Sequence, residues 1–122
     1  EGMWLMLQQP VADDYVLATG RTETVRRFVE LAFAEVGTTL IWQGEAENEI
    51  GINSKTGKTV LKVDPAYYRP TEVDLLLGDA SKAKAKLGWE PKITLEELVR
   101  EMMEADLAEA KAGTLSLRKV EA

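Results

Sequence analysis

Apolar positions along this chain follow two rhythms, one of about 3.6 residues and one of about 2, and glycine or proline marks most of the changes between them. Met3-Trp4-Leu5-Met6-Leu7 is apolar on nearly all sides. It predicts a helix that packs against something large and stops near Gln9, because the residue before Pro10 is held away from helical backbone. Tyr15-Val16-Leu17-Ala18, between Asp13-Asp14 and Thr19-Gly20, is a short continuous apolar run. That pattern predicts a strand buried on both faces of a parallel sheet, with a neighbour on each side. Val25, Phe28, Val29, Ala32, Phe33 and Val36 then recur at helical spacing, with Thr24 as N-cap and Gly37 as stop.

From Thr38 to Asp64 the spacing turns strand-like: Leu40-Ile41-Trp42, then Ile50 and Ile52, then Val60 to Val63. Lys55-Thr56-Gly57-Lys58 is a turn between the last two, so a hairpin with a long approach loop is expected. Asp64 to Thr71 carries Pro65 and Pro70 around Tyr67-Tyr68-Arg69 and reads as an extended loop with fixed turns, leading into an apolar run from Val73 to Leu77. Asp79 or Ser81 caps a short helix to Leu87, closed by Gly88, and Trp89-Glu90-Pro91 turns the chain. The capping box Thr94-Leu95-Glu96-Glu97 opens a last helix to about Ala112, with Leu95, Leu98, Val99 and Met102 on one face. Residues from Gly113 onward are expected to fray. The reading is a mixed α/β fold of helices, a β-hairpin and one further strand.

Composition narrows the chemistry. At 122 residues, 45% hydrophobic and 30% charged, the chain suits one modest globular core. Fifteen basic against 21 acidic side chains give a formal charge of −6, which opposes nonspecific attraction to nucleic acid or anionic membrane. An anionic ligand must therefore be gripped locally. The absence of cysteine excludes disulfides, thiolate metal sites and cysteine nucleophiles, and the absence of histidine excludes Ser-His-Asp triads and HExxH zinc sites. No metal site is assigned. The early apolar run has neither a basic leader nor the length to span a bilayer, so a cytoplasmic setting is expected. A start at Glu1, with a helix already under way, reads as part of something longer.

Gly51 to Thr59 superficially imitates a phosphate loop, but five residues rather than four separate its glycines and a strand-like Thr59 to Val63 follows where a helix is needed. The hairpin reading is preferred. No GxGxxG is present. Arg21, Arg26 and Arg27 crowd a helix start, where the dipole favours negative charge. Either they point to solvent or pair with Glu23 and Glu30, or a phosphate or diphosphate docks there, taking hydrogen bonds from both guanidinium and backbone N–H. Arg69, in a loop stiffened by Pro70 with Glu72 three residues on, offers the same two choices: a surface pair with Glu72, or a pre-ordered guanidinium for diphosphate beside a carboxylate for sugar or ribose hydroxyls. Lys82, Lys84 and Lys86, and the acidic side of the last helix, read as solvated surface.

Several stretches carry a resemblance: Glu1-Gly2-Met3-Trp4-Leu5-Met6-Leu7-Gln8, Tyr15 to Gly20, Val25-Arg26-Arg27-Phe28-Val29, and above all the run from Val63-Asp64-Pro65 through Tyr67-Tyr68-Arg69-Pro70-Thr71-Glu72 to Gly78-Asp79. From Glu1 to about Ala112 the chain resembles the C-terminal part of the GDP-mannose 4,6-dehydratases, which are extended short-chain dehydrogenase/reductases. Lys82-Ala83 through Leu87-Gly88-Trp89 and Pro91 is a weaker likeness, shared with other nucleotide-sugar enzymes of that superfamily.

The resemblance implies an NADP-binding Rossmann domain N-terminal to a smaller substrate domain. It implies a reaction that oxidises the sugar at C4, eliminates water across C5 and C6 and returns the hydride to C6. Residues 1–122 are then a single C-terminal substrate-binding domain without the cofactor domain. The segment from Glu1 continues a Rossmann helix, and Tyr15 to Thr19 joins the Rossmann sheet. The family's catalytic Tyr-x-x-x-Lys has no match, since Thr19, Thr71 and Glu72 stand four residues after Tyr15, Tyr67 and Tyr68, so the isolated chain is expected to be inactive. Arg26, Arg69 and Glu72 match family contacts to GDP-mannose, and the likeness departs at Arg27, where the family often has a smaller or acidic residue. The alternatives are another nucleotide-sugar epimerase or reductase, and a non-catalytic binding or scaffold module. A homo-oligomer formed through exposed or swapped elements is expected.

Overall fold

The computed structural model describes residues 1–69 and 76–113. The chain divides into two compact units, one built from Glu1–Thr24 and Thr71–Thr94, the other from Val25–Pro70 and Leu95–Ala122. Together they hold helices and an antiparallel sheet, a mixed α/β composition.

In the first unit, helix α1 (Gly2–Leu7) closes as the N–H of Gln8 and the side-chain amide of Gln9 both donate to the Leu5 carbonyl, at 3.2 and 3.1 Å. The helix ends just short of Pro10, as the proline requires. Its first residue, Gly2, is buried against the Leu17 side chain and the Trp89 indole, and a Cβ there would collide with Leu17. Helix α3 (Ser81–Leu87) begins where Asp79 Oδ1 accepts the Ser81 N–H at 2.9 Å and ends at Gly88 in the left-handed conformation. Ala83, on α3, is fully buried, and α3 packs against α1.

The strand expected at Tyr15 to Ala18 does not form. Residues 12–19 have no regular structure, and Val16 is 52% exposed. A strand exists only through a hydrogen-bonded neighbour, and no described strand lies beside this run. It is held instead by the close approach of Gly78 to Ala18 and by the Thr22 hydroxyl donating to the Leu76 carbonyl at 2.5 Å.

The second unit carries helix α2 (Val25–Glu35), which ends in a pair of carbonyl-capping bonds. Thr38 N–H reaches Phe33 O at 3.0 Å and Gly37 N–H reaches Ala34 O at 2.9 Å. This cap needs a residue at φ +70°, which glycine adopts without strain, so the predicted stop is realised. Strands β1 (Leu40–Gln43), β2 (Ile50–Asn53) and β3 (Thr59–Lys62) form an antiparallel sheet in the order β1-β2-β3. Ile41 stands opposite Ile52, and a register shift at Gly51/Ile52 interrupts the second pairing.

Helix α4 (Leu95–Ala112) reaches the end read from the pattern and packs on α2. Its buried stripe differs from the one expected. Val99 is 1% exposed and Leu95, Met103 and Leu107 are half-buried, whereas Leu98 and Met102 are 43% and 45% exposed. Positions four apart drift by only about 40° per step, so 95, 99, 103 and 107 keep one broad face turned inward, and 98 and 102 fall to its side. The apolar run expected over 73–77 lies mostly outside the described residues, as does the tail after Gly113. No helix among the described residues is long and apolar enough to cross a membrane.

Candidate functional site

Three of the sequence-flagged arginines sit around the start of α2, and the structure distinguishes them by their partners. Arg21 donates to Glu23 Oε1 at 2.6 Å, and Arg27 lies 4.0 Å from Glu30 one helical turn on. For these two the surface-pair alternative is realised. Arg26 does something the sequence did not foreshadow. Its guanidinium donates to Glu49 Oε1 and stacks over the Trp42 ring, 4.8 Å from the centroid. Trp42 in turn donates its indole N–H to Glu30 Oε1 at 2.9 Å.

The elements explain the convergence. The 3₁₀ turn Ala46–Asn48 between β1 and β2 brings Glu49 back beside the helix start, and β1 alternation turns Trp42 inward while Ile41 stays half-exposed. The result is one cation held by a carboxylate at its edge and an aromatic ring at its face, with the ring fixed by a second carboxylate. The Arg26 side chain keeps 48% of its surface in water, so its pair with Glu49 is worth about 0.2–1 kcal/mol and the stacking about 0.5–1 kcal/mol. Neither Glu49 nor Trp42 carries a local signature, since their roles come from contacts 23 and 16 positions from Arg26, which no spacing rule reaches.

Arg69 follows a turn set by Asp64, whose carbonyl accepts the Tyr67 N–H at 3.0 Å and whose Oδ1 accepts the Ala66 N–H at 2.9 Å. Both Arg69 and Tyr67 are exposed. Arg26 and Arg69 belong to the same compact unit, while Glu72 lies outside the described residues.

The phosphate-loop imitation is a hairpin turn. Asn53 Oδ1 accepts the N–H groups of Lys55 and Thr56 at 2.9 and 3.2 Å, and Gly57 N–H donates to the Asn53 carbonyl at 2.9 Å. The backbone donors that a phosphate would use are already engaged. The sequence carries no dinucleotide fingerprint either, and no hydride step is assigned to its residues.

The lysines of α3 also depart from a simple solvated surface. Lys82 and Lys86 lie one turn apart on the same side, and their ammonium groups grip the two oxygens of Asp13 at 2.8 and 2.9 Å. Those hydrogen bonds, with the Asp14 N–H, hold the Asp13 carboxyl well below the usual carboxylate range, and Asp13 raises Lys86. Lys84, on the other side, pairs with Glu90 at 2.5 Å and is raised by it. In the same unit a cleft of about 250 Å³ lies between Thr19-Gly20, Asp79, Ser81, Lys84 and Trp89, and neither Arg26 nor Arg69 lines it.

The candidate residues thus comprise one arginine held between a carboxylate and an aromatic ring and a second arginine on a turn-braced loop. Comparison with known proteins defines the chain's origin. Residues 1–102 match the family model described as GDP-mannose 4,6 dehydratase, and the chain belongs to that family. It is 53% identical over 107 residues to the GDP-mannose 4,6 dehydratase of Homo sapiens, which covers 88% of this chain and 29% of the human protein. It is 56% identical over 107 residues to that of Sinorhizobium fredii, covering 88% and 30%. With the Sordaria araneosa GDP-mannose 4,6-dehydratase it shares 55% identity over 115 residues, covering 94% and 21%. The chain thus spans between a fifth and a third of the length of such relatives.

Proposed function

We propose that this chain is the substrate-binding C-terminal portion of a GDP-mannose 4,6-dehydratase, the part that grips GDP-mannose while an N-terminal Rossmann domain of the extended short-chain dehydrogenase/reductase type holds NADP. The single observation that carries this reading is the family match over residues 1–102, at 53–56% identity to relatives that bear the name. In the whole enzyme, a lyase, GDP-mannose becomes GDP-4-keto-6-deoxymannose with no net redox change. NADP, held outside this chain, would accept the hydride from C4 and give it back at C6. This chain supplies hold and orientation.

Arg69 binds the diphosphate through its planar fork, which donates two parallel hydrogen bonds to one anion. Arg26 contacts the same diphosphate from the start of α2, where the helix dipole also favours anions. Glu72 accepts from ribose or sugar hydroxyls. The Asp64 turn supports this role for Arg69, because a braced loop loses less entropy when it binds.

Calorimetric titration of GDP into the chain tests the reading. Binding that weakens about tenfold or more in Arg69→Ala, and that weakens with added salt, is expected. An Arg69→Ala variant that binds GDP as the parent does removes Arg69 from the site. Formation of 4-keto product from GDP-mannose and NADP by the chain alone overturns the assignment of catalysis to the other portion.

A further inference from the structure

The contact between Arg26 and Glu49 occupies the group that the proposed function assigns to diphosphate. A carboxylate and a phosphate oxygen ask the same thing of a guanidinium, two lone pairs in the plane of the fork, so they compete for its edge. Glu49 is tethered by the turn at Ala46–Asn48 and its side chain is only 21% exposed, which keeps its effective concentration at Arg26 high. Trp42, fixed by Glu30, lies over the guanidinium with its ring centroid 4.8 Å away and so restricts its movement while Glu49 holds it. The other side of Arg26 is open, with about half of the side chain in water.

We infer that Glu49 is an internal competitor for the anion site at Arg26, a latch that a diphosphate must displace to take both hydrogen bonds of the fork. The inference rests on the reading that Arg26 contacts the diphosphate. It adds a regulatory consequence: every anion that takes the edge of Arg26 must first open the latch, and a diphosphate, with more charge and more acceptor oxygens, replaces the carboxylate best. Apparent affinity is reduced by the fraction of molecules in which the latch is closed. For a half-exposed pair that fraction corresponds to a penalty of about threefold to fivefold.

The test uses inorganic pyrophosphate and GDP, titrated calorimetrically into the full chain and into Glu49→Gln, Arg26→Ala and Glu47→Gln, with circular dichroism confirming that each variant is folded. Glu49→Gln keeps the shape and removes the competing charge. Glu47→Gln changes net charge equally in the same turn without touching Arg26. Pyrophosphate binding that tightens about threefold to fivefold in Glu49→Gln and stays near the parent's in Glu47→Gln is the expected result. Equal or weaker binding in Glu49→Gln overturns the latch while leaving Arg26 as a contact, provided Arg26→Ala binds less tightly than the parent. Equal tightening by Glu47→Gln also overturns it, since general charge then suffices. If Arg26→Ala binds pyrophosphate as the parent does, the placement of Arg26 at the diphosphate fails and the latch fails with it. The same holds if neither the parent nor Glu49→Gln binds pyrophosphate, and a Glu49→Gln chain that is unfolded makes Glu49 a structural pin and overturns the latch.

Discussion

Single residues in this chain act mainly through charge geometry at half-exposed positions. Asp13 is the clearest case, because two lysines one helical turn apart meet one carboxylate. Its folded-state carboxyl titrates below the ordinary value near pH 4, so between those two points the unfolded chain binds a proton that the folded chain refuses. The stabilising contribution is complete above about pH 5 and is lost as the pH falls through the folded value. Asp13→Asn should therefore lower stability to urea at pH 7, and the gap between parent and variant should narrow as the pH is lowered toward 3. A gap that is constant with pH would mean that the ion pairs contribute nothing to folding. The lysines were visible in the sequence, but Asp13 lies 69 and 73 positions from them, and only folding reveals that a nominally solvated set has a common partner.

Among elements, α4 shows what periodicity does and does not decide. Its start, its length and its amphipathic character follow from the capping box, the absence of interior glycine or proline, and the recurrence of leucine, valine and methionine. Which edge of the apolar face turns inward depends on where α2 lies, and that choice selected Met103 and Leu107 over Leu98 and Met102. Val99→Ala removes two methyl groups from a fully enclosed site and should cost about 2 kcal/mol. Leu98→Ala, at a position 43% exposed, should cost less than about 1 kcal/mol. Chemical denaturation of both variants measures the difference, and equal losses would contradict the observed orientation of the helix. The run at Tyr15 to Ala18 is the converse lesson. Its composition is that of a strand, yet a strand is a relation between two segments, so apolar content alone could not produce one.

At the scale of the molecule, little side-chain surface is fully enclosed: among the described residues the buried hydrophobic positions are Ala83 and Val99. Helix α1 presents Met3, Trp4 and Leu7 at 75%, 62% and 83% exposure, a contiguous apolar patch of the kind that associates. The chain should therefore sediment as a concentration-dependent oligomer, and Leu7→Lys should shift it toward monomer; a parent that stays monomeric at high concentration would rule out association through this face. The family was legible in the sequence as a resemblance; most helix boundaries, the hairpin, the exclusion of thiol and histidine chemistry and the candidacy of Arg26 and Arg69 were determined by the sequence alone, because each depends on local periodicity, a cap, a turn or a residue's own chemistry. The partners of Arg26, the double grip on Asp13, the inward edge of α4 and the failure of Tyr15 to Ala18 to become a strand were decided only in the tertiary structure. Each is a meeting of groups distant in the chain, and the free energy of such a meeting depends on where the rest of the fold places them.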